Sequence, residues 1–170
     1  DSGGAIENYD GTIGNITGNF INNICNYRGG AIFSSNTIGN ITGDFINNNS
    51  SNEGGAIYNS GTIGSITGNF VTNSAFNIGG AISNRGTINL LATDGKDVVF
   101  DGNYIITTPD NYTEGMGGAI YNTGAIGLYA GEGRSISFLG DETTQTLPNG
   151  TYRMYSFYND IIKNTAFLNN

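Results

Sequence analysis

The sequence predicts an all-β chain wound as a right-handed parallel β-helix, a solenoid with coils of about 25 residues and longer fourth and fifth coils. Three observations carry this. The tetrapeptide Gly-Gly-Ala-Ile recurs at 3–6, 29–32, 54–57, 79–82 and 117–120. Behind its first three copies comes Thr-Ile-Gly-Asn/Ser-Ile-Thr-Gly, at 12–18, 37–43 and 62–68, and then Phe-x-x-Asn. A fixed period of this length, with glycine every few residues and much isoleucine and threonine, excludes helical repeats and fits stacked strands joined by tight corners.

Taken in order, each coil reads as three short apolar runs closed by glycine or asparagine, residues that tolerate the positive φ of a corner. Three strands per coil are therefore expected. The first four copies start 26, 25 and 25 residues apart and the fifth follows after 38. Thr87 to Phe100 spans 13 positions where Thr12 to Phe20 spans 8, and Ala125 to Phe138 again spans 13. The same five-residue gain, arriving twice at one place, predicts an enlarged corner at Asp94–Asp97 and at Glu132–Arg134. A further insertion, Tyr104 to Gly115, is expected to leave the coil as a loop. One β-helix thus covers 1–170: regular coils over 3–86, longer coils over 87–150, and the start of a further coil or module over 151–170. Phe167 to Asn170 reads as a return of Phe-x-x-Asn.

Stacking places like on like. Ile6, Ile32, Ile57, Ile82 and Ile120 are predicted to form one interior column, and Ile13, Ile38, Ile63, Ile88 and Ile126 another. The phenylalanines form a third. Asn23, Asn48, Asn73 and Asn103 are expected to hydrogen-bond along the stack as a ladder of side-chain amides.

The composition narrows the partners. Six basic and 14 acidic residues give a net charge of −8, which opposes nucleic acid and anionic membrane surfaces. No apolar run is long enough for a membrane span, so no direct membrane insertion is expected of this segment. Cys25 stands alone and is read as a buried, inert thiol. The first residues, Asp1-Ser2-Gly3-Gly4, lack a signal-peptide pattern, and the chain reads as a fragment of something longer.

Gly-Gly-Ala-Ile alternating with Phe-x-x-Asn resembles the repeat signature of the polymorphic outer-membrane proteins of the chlamydiae and of related autotransporter passengers. The likeness covers positions 3 to about 141. It implies a β-helical adhesin or stalk on the bacterial cell surface, anchored in the outer membrane through a part not present here. It further implies adhesion through Phe20, Asn23, Phe45, Asn48, Phe70, Asn73, Phe100 and Asn103. The implied partner is a receptor or glycan on a host or neighbouring cell.

The residues themselves weigh these motifs as scaffold, since any solenoid needs identical residues in columns. Binding is then expected in the insertion, at Tyr104, Asp110, Tyr112 and Glu114, because loops on rigid scaffolds usually carry it. A polysaccharide-active enzyme is an alternative, but histidine is absent and the carboxylates Glu7, Asp10, Asp44, Glu53, Asp94, Asp97 and Asp101 do not recur at one repeat position. The chain is read as non-enzymatic and without cofactor. End-to-end self-association into a fibre is the other alternative, because open coil ends are templates for pairing. Two threonine columns, Thr12/37/62/87 and Thr17/42/67, raise ice binding, but a corner expected between them argues against one flat face. The Asn-x-Thr triplets at 15–17 and 40–42 are by-products of the repeat, and 111–113 is a third.

Overall fold

The computed structural model describes residues 1–106 and 117–139 in full, and beyond them the backbone of strands at 142–143, 145–146, 152–153, 157–159 and 165–169. Asp110, Tyr112 and Glu114 lie outside the described residues. The described chain is all strand, with no helix among those residues, and the strands stack in parallel as a β-helix.

Each coil contributes to four sheets rather than three. In the second coil these strands are Ile32–Ser34, Thr37–Thr42, Phe45–Ile46 and Asn49–Ser50, and equivalent strands stack in register above and below. The fourth strand escaped the apolar pattern because its residue types change from coil to coil, from Ile24–Cys25 through Asn49–Ser50 and Ser74–Ala75 to Tyr104–Ile105. It forms because the residue before each ladder asparagine turns the chain sharply, with φ of 58° at Asn22, 51° at Asn47, 52° at Thr72 and 61° at Gly102.

The expected columns are present. Ile32 pairs with Ile6 and Ile57, Ile82 with Ile57 and Ile120, and Ile63 with Ile38 and Ile88. These isoleucines are fully buried from the second coil onward, and with the phenylalanines they make one continuous core along the axis. Phe45 stacks on Phe70 with centroids 4.8 Å apart and planes 2° from parallel, and Phe70 on Phe100 at 4.6 Å and 1°. Each pair adds roughly 0.5–1.5 kcal/mol beyond burial.

Gly-Gly-Ala-Ile is explained by sterics alone. Gly54 adopts φ 66°, and a Cβ there would lie 2.1 Å from the Ile57 carbonyl oxygen. At Gly55 a Cβ would lie 2.0 Å from the Gly80 carbonyl oxygen of the next coil, so the backbones stack too closely for any side chain. Ala56 then fits a fully buried position.

Three further expectations need correcting. No corner separates the two threonine columns: single strands, Thr37–Thr42 and Thr62–Thr67, run through both. Their inward residues are three apart, Ile38 with Ile41 and Ile63 with Ile66, whereas Thr87–Ala92 alternates strictly with Ile88 and Leu90 inward. The register shifts by one residue between these coils, a β-bulge of Gly64–Ser65 against Asn89, whose amide donates to the Gly64 carbonyl at 2.8 Å. Tyr104 does not begin a loop; Tyr104–Ile105 is a strand paired with Ser74–Ala75, because Ile105 is the buried member of its column. Finally, Phe167 does not join the phenylalanine column, since Thr165–Asn169 pairs with the second sheet and sets Phe167 against Leu128.

The longer fourth and fifth coils do carry enlarged corners. The chain turns through Asp94 and Gly95 and again through Gly133, and the two corners are tied by Arg134 Nη1 donating to the Gly95 carbonyl at 2.8 Å and Ser135 N–H donating to Asp97 Oδ1 at 2.8 Å.

Candidate functional site

The Phe-x-x-Asn side chains turn inward. Phe45, Phe70, Phe100, Asn48, Asn73 and Asn103 are fully buried, and Phe20 is nearly so. The asparagine ladder exists, and it does more than link side chains. Each carboxamide accepts the backbone N–H of the preceding coil's asparagine and donates to the carbonyl of that coil's phenylalanine: Asn48 Oδ1 accepts from Asn23 N–H at 3.0 Å, and Asn48 Nδ2 donates to Phe20 O at 2.9 Å. The side chain stands in for a peptide group where the positive-φ corner has turned the backbone out of register. What the motif leaves outside is its middle pair, with Ile21 half exposed and Asn22, Asn47, Thr72 and Asp101 at the surface.

A second buried amide column went unnoticed in the sequence. Asn59 Nδ2 donates to Asn84 Oδ1 at 2.8 Å, and Asn84 Nδ2 to Asn122 Oδ1 at 2.6 Å. The signal was available, since asparagine stands two places after the isoleucine of Gly-Gly-Ala-Ile in all coils but the second, where Ser34 replaces it.

Polar chemistry also collects on the outer face of the first sheet. Residues following the inward isoleucines point outward there, and two of them, Phe33 and Tyr58, stack with centroids 5.3 Å apart and planes 4° from parallel. Tyr9 continues the row at 6.3 Å from Phe33. The Arg28 guanidinium lies 4.7 Å from the Tyr27 ring centroid and 4.8 Å from that of Tyr58.

Glu53 holds this face in place. Its carboxylate is 8% exposed and takes Arg28 Nη2 at 3.1 Å, Arg85 Nη2 at 2.9 Å and the Ser83 hydroxyl at 3.2 Å. Burial works against the charge of Arg85, but the hydrogen bond and the negative charge of Glu53 outweigh it and raise the Arg85 pKa above its ordinary value. Sequence reasoning missed the cluster because it searched for carboxylates recurring at one position. Here one carboxylate recruits arginines from two different repeat positions.

Tyr104 is on the outer side of the fourth sheet and 41% exposed. It pairs with Ser74 in the fourth sheet, whereas Phe33 and Tyr58 belong to the first. Among the described residues no group of three or more carboxylate, cysteine or histidine side chains comes together as a metal site.

The geometry defines a class of protein first: a parallel β-helix whose repeat motifs build its interior. Within it, residues 43–60 match the Chlamydia polymorphic membrane protein repeat, the family that the motifs resemble, and the stretch contains one Phe-x-x-Asn and one Gly-Gly-Ala-Ile block. Neither the curated proteins nor the solved structures provide a match to the chain.

Proposed function

We propose that this chain is a segment of the surface-exposed passenger of an autotransporter-like outer-membrane protein. It acts there as an adhesin or stalk toward a receptor or glycan on a host or neighbouring cell, without cofactor and without catalysis. The observation that supports this reading is the inward orientation of both motif columns, continuous through all fully described coils. A repeat spent on its own core makes a rod, and a rod leaves its outer faces and corners to vary without loss of fold. The repeat match at residues 43–60 supports the cell-surface setting. Adhesion by this route acts through outward residues, because the buried phenylalanines and asparagines are out of a partner's reach in the folded coil.

The test is binding of the folded chain to cultured host-type cells, measured by flow cytometry beside a chain carrying alanine at several outward positions. Saturable binding that the surface variant loses supports an adhesin. Absence of binding by the unmodified folded chain removes adhesion and leaves the stalk.

A further inference from the structure

We propose that the groove on the outer face of the first sheet, above Tyr9, Tyr27, Phe33 and Tyr58, binds an uncharged pyranose oligosaccharide. The inference rests on the adhesin reading above and names the chemistry of its partner. The groove encloses about 540 Å³, within the size range of small-ligand sites.

Its walls combine two kinds of surface that a sugar ring also combines. Tyr9 and Tyr27, 67% and 47% exposed, offer π-surface to the apolar C–H face of a pyranose, whose hydrogens are attracted to the negative face of a ring, while Phe33 and Tyr58 are nearly buried and form the floor. Around them stand acceptors for the hydroxyl rim. Glu7 and Asp10 line the groove, and neither pairs with a cation among the described residues. Ser35 and Ser60 occupy equivalent places one coil apart, and the Ser35 hydroxyl donates to the Tyr9 carbonyl at 2.7 Å, which leaves its lone pairs to accept. Successive coils lie about 4.8 Å apart, so a saccharide running along the axis passes from Tyr9 to Ser35 and Ser60 at one register position.

Charge selects among glycans. Arg28 is the cation of the groove, and it is held at 3.1 Å by Glu53, which it shares with Arg85. The uncompensated carboxylates of Glu7 and Asp10 then repel sulfated, sialylated or phosphorylated chains and admit neutral ones. The site is also rigid before any ligand arrives. Phe33 and Tyr58 are locked in parallel, and Arg28 is clamped between Tyr27 and Tyr58 and fixed by Glu53, so little side-chain ordering opposes binding.

The experiment is calorimetric titration of the full chain with neutral oligosaccharides, namely maltotetraose, cellotetraose, chitobiose and lacto-N-tetraose, beside heparin-derived and sialylated oligosaccharides and a lysine-rich peptide. At least one neutral saccharide is expected to bind, insensitive to salt, and Tyr27→Ala and Tyr9→Ala are each expected to weaken it by about tenfold. Both tyrosines are exposed, so circular dichroism should show the variants folded, and Thr87→Ala on the second sheet should bind as the parent does. The proposal is overturned if no neutral saccharide binds at millimolar concentration, if binding survives both tyrosine changes, or if only the acidic glycans or the peptide bind. Cell binding separates this from the parent reading. Cells bound equally well by Tyr27→Ala leave adhesion standing and remove the groove, whereas saccharide binding without cell binding keeps the groove and removes adhesion.

Discussion

Asn73 Oδ1 accepts two hydrogen bonds from Asn48, one from its backbone N–H at 3.0 Å and one from its side-chain amide at 2.9 Å. The Asn73 amide in turn donates to Phe45 O at 2.9 Å. A single carboxamide therefore completes a corner of the neighbouring coil. Asparagine suits the position because it must both accept and donate at short reach: aspartate lacks the donor and serine lacks the length.

Asn73→Ala should accordingly cost far more than a typical polar substitution. It leaves the Asn48 N–H and one Asn48 amide hydrogen without partners in a fully buried place, and removes the side-chain donor from the Phe45 carbonyl, which keeps its sheet pairing. A buried unpaired group costs about 1–3 kcal/mol, and partial relaxation of two such groups puts the loss at roughly 2–4 kcal/mol. Urea denaturation would measure it. A loss under about 1 kcal/mol would mean that the ladder is not what holds the corner.

Thr72 is strained and can be improved. It is a β-branched residue at φ 52°, where equivalent coils have Asn22, Asn47 and Gly102. Thr72→Asn should raise stability by about 1 kcal/mol, which appears as a melting temperature a few degrees higher. Thr72→Gly should gain less, because glycine also loosens the unfolded chain. A melting temperature that falls with asparagine would contradict this assignment of strain.

Two glycines of the repeat pattern, one in the third coil and one in the first, should respond very differently to alanine. Gly55→Ala drives a methyl group to 2.0 Å from the Gly80 carbonyl and 2.5 Å from that of Ser74, both backbone atoms that cannot swing aside. It should prevent folding of the coil, visible as loss of the β-sheet circular dichroism signal. Gly14→Ala meets nothing within 4 Å and should change stability by less than about 0.5 kcal/mol.

The contrast shows what the sequence makes legible. Columns are visible because stacking repeats one residue type at one spacing, and Ile57, Phe70 and Asn73 all occupy the places their spacing implies. The fourth strand was hidden, since Ser74–Ala75 pairs through its backbone and needs no apolar mark. The bulge at Gly64–Ser65 was hidden for a related reason, because Ile-x-x-Ile and Ile-x-Leu differ by one residue whose effect shows only when coils are laid in register. The outer aromatic face was illegible for the opposite reason. Phe33 and Tyr58 share one register position with Glu7, Ser83 and Tyr121, an aromatic column broken by other residue types, while Tyr9, Tyr27 and Arg28 come from other positions, so only geometry brings the face together.

Glu53 tests how much that outer face depends on one carboxylate. Glu53→Gln keeps the shape but removes the charge that faces two guanidinium groups, and its amide nitrogen would point a donor at donors. A fully buried pair broken in this way costs about 3–5 kcal/mol, but the arginine side chains are 28% and 37% exposed, and solvent reduces the expected loss to about 1–3 kcal/mol. Arg85→Ala should cost less, under about 1 kcal/mol, because Glu53 keeps Arg28 and the Ser83 hydroxyl while the arginine removed was the more exposed partner. Chemical denaturation of both variants gives the order. If Arg85→Ala proved as damaging as Glu53→Gln, the carboxylate would depend on both arginines together, and the rigidity of the groove above Tyr58 would have to be credited to Arg85 as much as to Arg28.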